Sequence, residues 1–384
     1  MKILVDENIP LGQEAFQEWG QTIPFAGRSL TQKDIQASQA DALIIRSITQ
    51  VNAGLFDQTR VKFVGTATIG TDHVDQTYLK EKGIGFSSAP GCNSNSVGEY
   101  VVTALIRLQY EKKYSLEGKT LGIIGYGHVG KNLARKAEAL GLKVLINDPP
   151  LQSLVEKQGN ENVTYSKYSK LSEVLKKADI ISLHVPLTKT GPYSTLNLVD
   201  QKFLQSLSKP IVLINTCRGE VIDESALIAA KAAGIVQHLV LDVFNHEPNI
   251  NPDLAAIADI ITPHIAGYSH QGKLNGTTQI AAAFCKHFNF TSTWVATYPP
   301  PANPNIHYTD SHFLYKAFTT AYPQQMDEEQ LRVSLKNANP ASAFDLLRKQ
   351  YPVRHEFTEY NIDGLFSENR NLASQLLKLG FKLE

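Results

Sequence analysis

Short apolar segments alternate with polar stretches of helical length from the start of the chain. Lys2–Val5, Ala42–Arg46 and Lys62–Gly65 have the apolar character of buried strands, and segments such as Leu11–Trp19 between them place apolar residues at helical spacing. This alternation is typical of a parallel α/β sheet. Ser94–Tyr110 continues the helical spacing over about 17 residues, which predicts a helix long enough to cross between two domains.

A second and stronger α/β pattern begins at Leu116. Six apolar segments separated by helical ones predict the strands Thr120–Ile124, Lys143–Asn147, Ile180–His184, Ile211–Asn215, His238–Asp242 and Ile260–Thr262. Six strands in about 150 residues match the size and rhythm of a doubly wound sheet.

Proline marks a third change of pattern. Thr297–Pro304 holds four prolines in eight residues, which disfavour regular structure and predict a linker. Beyond it, helical patterns at Asp327–Lys336, Ala341–Lys349 and Asn371–Leu379 mix with aromatic, strand-like pieces. Together the patterns predict an α/β protein with two Rossmann-like doubly wound parallel-sheet domains and a small C-terminal α+β domain.

Composition and charge exclude several classes of function. The 384 residues carry 37 Lys and Arg against 37 Asp and Glu, and this neutral balance gives no general attraction to nucleic acid or to an anionic membrane. No apolar run approaches the length that spans a bilayer, and the N-terminal MKILVDENIP lacks the apolar segment of a signal peptide. Cys92, Cys217 and Cys285 form no CxxC pair, and the histidines fit no spaced metal motif. We therefore expect a cytoplasmic protein without nucleic-acid, membrane or metal partners.

A glycine-rich sequence follows the first strand of the second pattern. Gly125, Tyr126, Gly127, His128, Val129 and Gly130 form a GxGxxG between a strand and a helical pattern, and a second strand ends at Asp148, 18 residues further on. Gly125 would permit the tight turn, Gly127 would let the backbone approach a pyrophosphate, and Gly130 would let helix and strand pack closely. Asp148 would accept hydrogen bonds from the adenosine ribose hydroxyls and favour NAD over NADP. This context predicts a dinucleotide site.

Three residues suited to the oxidation of a 2-hydroxy acid come at or after the carboxyl ends of predicted strands. Arg218 can hold a substrate carboxylate and polarise the C2 oxygen. His264 can take the hydroxyl proton while hydride leaves C2 for a nicotinamide, and Glu247 can fix the imidazole tautomer. Cys217, which precedes Arg218, has no assigned base, so we interpret it as a small residue that lines the cofactor pocket.

With these motifs the sequence resembles the D-isomer-specific 2-hydroxyacid dehydrogenases. The resemblance covers about residues 1–290 and rests on GYGHVG, the distal Asp148, TCRGEVID, the HEP at Glu247 and PHIAGY. It implies a substrate-binding domain of residues 1–100 that about 266–290 complete, and an NAD-binding Rossmann domain of residues 101–265. It also implies that Arg218 and Glu247 are the active-site pair and that His264 is the acid/base.

Finer motifs resemble one branch of that family. IIRSIT at 44–49, VGTATIGTDHVD at 64–75, PGCNSNSVGEYV at 90–101 and HIAGYSHQGKLNGTTQ at 264–279 carry this resemblance. The branch oxidises 4-phospho-D-erythronate to (R)-3-hydroxy-2-oxo-4-phosphooxybutanoate in pyridoxal phosphate (vitamin B6) biosynthesis. Its members carry a C-terminal dimerisation module, so the resemblance implies a homodimer that residues 291–384 hold together.

The resemblance also implies residues around the two ligands. Besides the glycine-rich turn and Asp148, the cofactor positions are Val185, Thr216, Cys217, Asp242 and Gly267. The family can present a Thr hydroxyl at Val185, so only a backbone contact is expected there. Ser47, Thr68 and Tyr268 match substrate positions, and we expect Arg46 and Lys273, which lie in the same motif segments, to meet the substrate phosphate.

Two alternatives stay open. Another D-2-hydroxyacid dehydrogenase, such as the 3-phosphoglycerate enzyme, would share the catalytic trio, which cannot separate substrates that differ by one carbon. A non-catalytic NADH-sensing co-regulator on the same fold could also keep the trio. The GYSHQGK stretch from Gly267 to Lys273 favours the four-carbon substrate. The loop ATIGT at 67–71, whose N–H groups and hydroxyls suit a carboxylate, favours an enzyme.

Overall fold

The computed structural model describes residues 1–158, 168–309, 312–364 and 369–384, and it divides into two compact units. The first unit comprises Met1–Ser94 and Ser269–Pro299, and the second comprises Asn95–Tyr268 and Pro300–Glu384. The division after Pro299 falls within the proline-rich segment, which forms neither helix nor strand. The C-terminal segment thus shares a compact unit with the residues predicted to form the NAD-binding domain.

The elements alternate as the apolar pattern predicts over most of the chain. In chain order the strands are β1 (Lys2–Asp6), β2 (Gln21–Phe25), β3 (Ala42–Ile45), β4 (Phe63–Thr66), β5 (Gly85–Ser87), β6 (Thr120–Ile124), β7 (Lys143–Asn147), β8 (Ile180–Leu183), β9 (Ile211–Asn215), β10 (Val236–Leu241), β11 (Ile260–Ile261), β12 (Asn305–His307), β13 (Asn361–Asp363) and β14 (Lys382–Leu383). The helices are α1 (Gly12–Phe16), α2 (Gln32–Ser38), α3 (Ala53–Phe56), α4 (Gln76–Glu81), α5 (Ser94–Glu111), α6 (His128–Ala139), α7 (Pro149–Gln158), α8 (Leu171–Lys177), α9 (Gln201–Gln205), α10 (Glu224–Ala232), α11 (Pro252–Ile257), α12 (His270–Phe288), α13 (Phe313–Ala321), α14 (Gln324–Ser334), α15 (Pro340–Lys349) and α16 (Arg370–Leu379).

The first unit contains a parallel five-stranded sheet in the order β2-β1-β3-β4-β5. This is the strand order of a doubly wound sheet of the flavodoxin type. Its central strands are buried along their whole length, which is why they read as continuous apolar runs. Helix α12 returns to this unit and packs Ile280 and Phe284 into the core that contains Ile3 and Phe63.

The second unit contains a parallel six-stranded sheet in the order β11-β10-β9-β8-β6-β7. The chain runs from β6 to β7 on one side and from β8 to β11 on the other, so the strand order reverses between β6 and β8. Ligands of open α/β sheets bind outside the carboxyl ends of the strands at such a reversal. All six strands predicted for this sheet are confirmed.

The C-terminal segment adds a parallel three-stranded sheet, β12-β13-β14, with helices α13 to α16. Its aromatic stretch is a helix, and Phe313, Phe318 and Tyr322 are buried in a core shared with helix α5. The aromatic residues therefore serve an internal core. The predicted fold class, two Rossmann-like sheets with a small C-terminal α+β part, is confirmed.

Candidate active site

Three adjacent strands of the second sheet position the predicted catalytic residues. Strands β9, β10 and β11 are parallel neighbours, so their carboxyl ends meet at one edge. Arg218 follows β9, Glu247 lies in the loop after β10, and His264 follows β11. The topology therefore brings the trio to the same edge of one sheet.

A close backbone contact joins the first two of these loops. A Cβ atom at Gly219 would lie 2.0 Å from the carbonyl carbon of Phe244, so only glycine permits this approach. Gly219 opens the short 3-10 turn directly after Arg218. The Phe244 N–H donates a hydrogen bond to Glu247 Oε1 over 2.9 Å. The turn after β9 therefore packs on the backbone that holds the Glu247 carboxylate.

Glu247 and His264 form a hydrogen-bonded pair. His264 Nδ1 lies 2.7 Å from Glu247 Oε2, and 31% of the histidine side chain is exposed against 16% of the glutamate. Burial raises the pKa of Glu247, but His264, the Arg348 guanidinium and the Phe244 N–H outweigh burial, and the net pKa lies below its ordinary value. An ionised carboxylate only accepts hydrogen bonds, so Nδ1 carries the hydrogen and Nε2 of the neutral ring is left as the proton acceptor.

Asp242 fixes the backbone that carries His264. Its Oδ1 accepts from the Thr262 hydroxyl at 2.7 Å and from the Ile265 N–H at 2.8 Å, and its Oδ2 accepts from the Ala266 N–H at 3.0 Å. Burial raises the pKa of Asp242 to about 6, although His264 and these hydrogen bonds lower it. His264 itself has a φ of 57°, in the left-handed region that few side chains adopt, and the Asp242 hydrogen bonds on either side of it hold this conformation.

Arg218 and Cys217 have different surroundings. Arg218 is half-buried, its Nη1 donates to the Cys217 carbonyl at 2.7 Å, and its own carbonyl accepts from Asn215 Nδ2 at 2.8 Å. Cys217 is buried, and burial raises the pKa of its thiol to about 11. The thiol therefore stays protonated near neutral pH, which does not suit a nucleophile.

The glycine-rich turn has room for a dinucleotide. Gly125 has a φ of 95°, and a Cβ there would lie 2.4 Å from the carbonyl oxygen of His184, which directly follows the neighbouring strand β8. A Cβ at Gly130 would lie 2.2 Å from the Gly125 carbonyl oxygen, whereas a Cβ at Gly127 would meet nothing within 4 Å. Gly127 caps α6 without a side-chain hydrogen bond, so the helix N-terminus keeps open space before it for a pyrophosphate.

The other predicted cofactor residues lie along the same edge of the sheet. Asp148 follows β7 and accepts from the Tyr126 N–H at 2.7 Å and from the Leu151 N–H at 2.9 Å. Val185 follows β8, Thr216 follows β9, and Gly267 lies in the loop after β11. Thr216 Oγ1 lies 3.4 Å from Nδ1 of His184, a half-buried histidine for which the sequence predicted no role. Burial lowers the pKa of His184 to about 3, so its ring is neutral. These residues fit a bound NAD.

The predicted substrate residues are divided between the two units. Ser47, Thr68, Arg46 and Lys273 belong to the first unit, and Tyr268 belongs to the second. Arg46 Nε forms an ion pair with the buried Asp6 carboxylate at 3.0 Å. Thr68 Oγ1 lies 2.8 Å from the Thr66 hydroxyl in the loop after β4. Lys273 lies in the first turn of α12, and Ser47 is exposed in the turn after β3.

Three side chains of the C-terminal segment that reach the loop after β11 were not predicted from the sequence. Arg348 Nη2 donates to the Tyr268 hydroxyl at 3.2 Å, and the Tyr351 ring packs edge-on against the Tyr268 ring with centroids 5.8 Å apart. Arg354 Nη2 donates to the Ala266 carbonyl at 3.0 Å. The one available signal is spacing, since Arg348 follows the apolar Phe344 by one helical turn.

Among the described residues, no group of three or more His, Cys, Asp or Glu side chains could hold a metal ion. None of the helices in this part of the chain has the length and apolar character needed to cross a membrane.

The chain is similar to named relatives along its whole length. Residues 99–266 match the family described as D-isomer specific 2-hydroxyacid dehydrogenase, NAD binding domain, and residues 299–380 match a domain of unknown function, DUF3410. The erythronate-4-phosphate dehydrogenase of Tolumonas auensis is 40% identical over 389 residues, which cover 100% of this chain and 99% of the relative. That of Escherichia coli O157:H7 is 41% identical over 386 residues, which cover 99% of this chain and 98% of the relative.

The fold is also similar to that of a solved dehydrogenase structure. The D-lactate dehydrogenase from Aquifex aeolicus, crystallised with NAD and lactic acid, matches with a TM-score of 0.61 and 26% identity, over 75% of this chain and 95% of that chain. With these matches and the geometry above, the chain carries the NAD-binding domain of the D-isomer-specific 2-hydroxyacid dehydrogenases and belongs to that family, within its erythronate-4-phosphate dehydrogenase group.

Proposed function

We propose that this chain oxidises 4-phospho-D-erythronate at C2 with NAD, as a step of vitamin B6 biosynthesis. The observation that carries the proposal is the hydrogen-bonded pair of His264 and Glu247, 2.7 Å apart, at the sheet edge that Arg218 also reaches. Relatives that match this chain from end to end carry the name of that activity. Bound NAD supplies the acceptor for the hydride that leaves C2.

His264 is the general base of the oxidation. Its Nε2 takes the C2 hydroxyl proton, and the ring becomes an imidazolium as the C2 oxygen becomes a carbonyl. The Glu247 carboxylate, kept ionised by its lowered pKa, holds Nδ1–H and stabilises this positive charge. In the reverse direction the imidazolium returns the proton to the carbonyl oxygen.

Arg218 holds the substrate carboxylate and polarises the C2 oxygen. Its cationic, planar guanidinium suits both tasks, since it can donate to two oxygens at once. The hydrogen bond from Asn215 to its carbonyl and the tight packing at Gly219 fix the backbone on either side. We assign Ser47, Thr68, Tyr268, Arg46 and Lys273 to the substrate and the first unit to substrate binding, as the resemblance implies.

The cofactor assignment follows from the glycine-rich turn. Gly127 leaves space in front of α6, whose first-turn N–H groups can donate to the pyrophosphate. Asp148 lies where an adenosine ribose would present its hydroxyls, and its negative charge disfavours a 2′-phosphate there. Tyr126, His128, Val129, Val185, Thr216, Cys217, Asp242 and Gly267 complete the proposed NAD contacts.

The test is NADH formation by nucleotide-stripped, NAD-loaded protein with 4-phosphoerythronate and 3-phosphoglycerate in parallel. We expect a clear preference in kcat/KM for the four-carbon acid, and turnover should be lost in His264→Ala. A preference for phosphoglycerate would keep the mechanism and overturn the substrate. NAD binding without turnover of either acid would favour a co-regulator.

The assembly proposed for the chain is a homodimer formed through its C-terminal domain. Several apolar side chains on this segment are more than half exposed, among them Met326, Val333 and Val353 at 56%, 63% and 68%. Such side chains suit burial against a second copy. Light scattering at micromolar concentration should give twice the chain mass, and Val333→Glu together with Val353→Glu should shift the measured mass toward one chain mass.

The three free cysteines suit the reducing cytoplasm, where we place the protein.

A further inference from the structure

Helix α15 of the C-terminal segment is anchored to the core of the second unit. Phe344 is fully buried in the same apolar cluster as Leu213 and Leu241 of the six-stranded sheet, and Leu347 packs against it. Arg348 follows Phe344 by four residues, so the two side chains lie on one face of the helix. The packing of Phe344 and Leu347 therefore fixes the position of Arg348 on the second unit.

Arg348 contacts the loop that carries the catalytic histidine. Its Nη2 donates to the hydroxyl of Tyr268, four residues after His264, and its guanidinium carbon lies 5.9 Å from the Tyr268 ring centre. Tyr351 packs on the same ring and donates its own hydroxyl to Asp327 Oδ2 at 2.9 Å. Tyr268 is thus held by two residues of the C-terminal domain.

The positive charge of Arg348 interacts with the carboxylates of the proposed active site, and it helps to lower the pKa of Glu247. Burial lowers the pKa of Arg348, but Tyr268, Glu247 and Asp242 raise it above its ordinary value. Within the part of the chain that the structure describes, its guanidinium forms one hydrogen bond, to Tyr268, and its buried Nε has no partner. A partly buried cation with unused donors is stabilised by an anion.

The proposed substrate has two anionic ends, and Arg218 accounts for only one of them. Arg218 holds the C1 carboxylate beside the reacting C2, which leaves the C4 phosphate to other cations, among which the motif segments already suggest Arg46 and Lys273 of the first unit. Arg46 of the first unit already forms an ion pair with the Asp6 carboxylate. Arg348 stands beside the catalytic loop with most of its donors unused.

We propose that Arg348 binds the substrate phosphate, so that the C-terminal domain determines the preference for a phosphorylated 2-hydroxy acid. The inference rests on the proposed function, since it assigns one end of that substrate. It gives residues 299–380, which match a domain of unknown function, a part in substrate recognition.

The test compares Arg348→Met and Arg348→Lys with Lys349→Met in the full-length, NAD-loaded protein. Lys349 is the next residue of α15 and is exposed, so its loss matches the change of charge without touching Tyr268. Two quantities are measured: kcat/KM for 4-phosphoerythronate, and the dissociation constant of inorganic phosphate by calorimetry. Thermal unfolding of each variant shows that it is folded.

We expect Arg348→Met to lower kcat/KM about 10- to 100-fold and to weaken phosphate binding by a similar factor, as the loss of a charge-assisted hydrogen-bond donor predicts. Arg348→Lys, which keeps the charge but not the planar fork, should lie between the wild type and Arg348→Met. Lys349→Met should change neither quantity.

Two results would overturn the proposal. If kcat/KM falls while phosphate binding is unchanged, Arg348 only positions Tyr268. If neither quantity changes in Arg348→Met, the residue has no part in substrate binding. Should the wild type fail to oxidise 4-phosphoerythronate, the proposed function is refuted, and the phosphate titration still decides whether Arg348 binds an anion.

Discussion

Replacing Glu247 by glutamine removes the charge of the proposed catalytic pair. The amide keeps the size of the side chain, and its oxygen can still accept from His264 Nδ1–H, but its nitrogen then faces the Phe244 N–H and that hydrogen bond is lost. What disappears is the negative charge that stabilises the imidazolium formed as the C2 hydroxyl loses its proton.

The magnitude follows from the distance and the burial of the pair. Two unit charges about 4 Å apart interact by about 4 kcal/mol at an effective dielectric constant near 20. Since 31% of the His264 side chain is exposed, water screens part of this interaction. We take about 2–3 kcal/mol as the loss in the transition state, which corresponds to a roughly 30- to 150-fold fall in kcat/KM.

The assay is the rate of NADH formation across a range of 4-phosphoerythronate concentrations, with Glu220→Gln as the control. Glu220 is a half-buried glutamate in the 3-10 turn after Arg218, so this control removes the same charge from a nearby loop. We expect Glu220→Gln to stay within about threefold of the wild type. If Glu247→Gln is as active as Glu220→Gln, the carboxylate does not stabilise the imidazolium and the reasoning is wrong.

Three further predictions concern the framework of the site. Gly219→Ala places a Cβ 2.0 Å from the Phe244 carbonyl carbon, and we expect it to destabilise the protein by about 2 kcal/mol or more, seen as a lower melting temperature; an unchanged melting temperature would contradict the close packing. Because burial raises the pKa of Asp242 to about 6, the folded protein binds a proton there more tightly than the unfolded chain. The stability that this group contributes therefore falls as the pH rises from about 4 to 6, by up to about 3 kcal/mol. In urea titrations across this range, Asp242→Asn should lose that part of the pH dependence, and parallel curves for the two proteins would refute the assignment. Asp148→Ala should raise KM for NAD about tenfold and narrow the preference over NADP, whereas unchanged KM values for both would remove Asp148 from the ribose site.

The apolar pattern predicts all six strands of the second sheet and the three central strands of the first, but it misses the two edge strands of the first sheet. Strand β9 and its neighbours are buried on both faces, so their sequences are continuous apolar runs. Strands β2 and β5 lie at the two edges of the first sheet, are only partly buried, and lack such runs, and β2 contains Pro24. The apolar pattern of the sequence therefore does not predict β2 or β5.

The aromatic residues after the proline-rich segment show a different limit. Phe313, Ala317, Phe318 and Ala321 are all buried, at the spacing of one helix face, and they form α13. The helical patterns named from the sequence do not include this segment, although its buried positions have helical spacing. The three proposed catalytic residues could be placed at one sheet edge from chain order alone, because parallel strands align their carboxyl ends. The contact between Arg348 and Tyr268 spans 80 residues, and no local pattern encodes it.

The C-terminal segment contacts the loop after β11, so a truncation at the proline-rich segment would remove contacts that this loop needs. Truncation after Pro299 would remove Arg348 and Tyr351, which contact Tyr268, and Arg354, which donates to the Ala266 carbonyl, and it would uncover the aromatic core beside α5. A shorter relative without such an extension would need other contacts to hold the same loop. If Arg348 binds the substrate phosphate as proposed, an exchange of C-terminal segments between relatives would exchange part of the substrate site. The acid that such an enzyme accepts could then be changed at a position far from the glycine-rich turn.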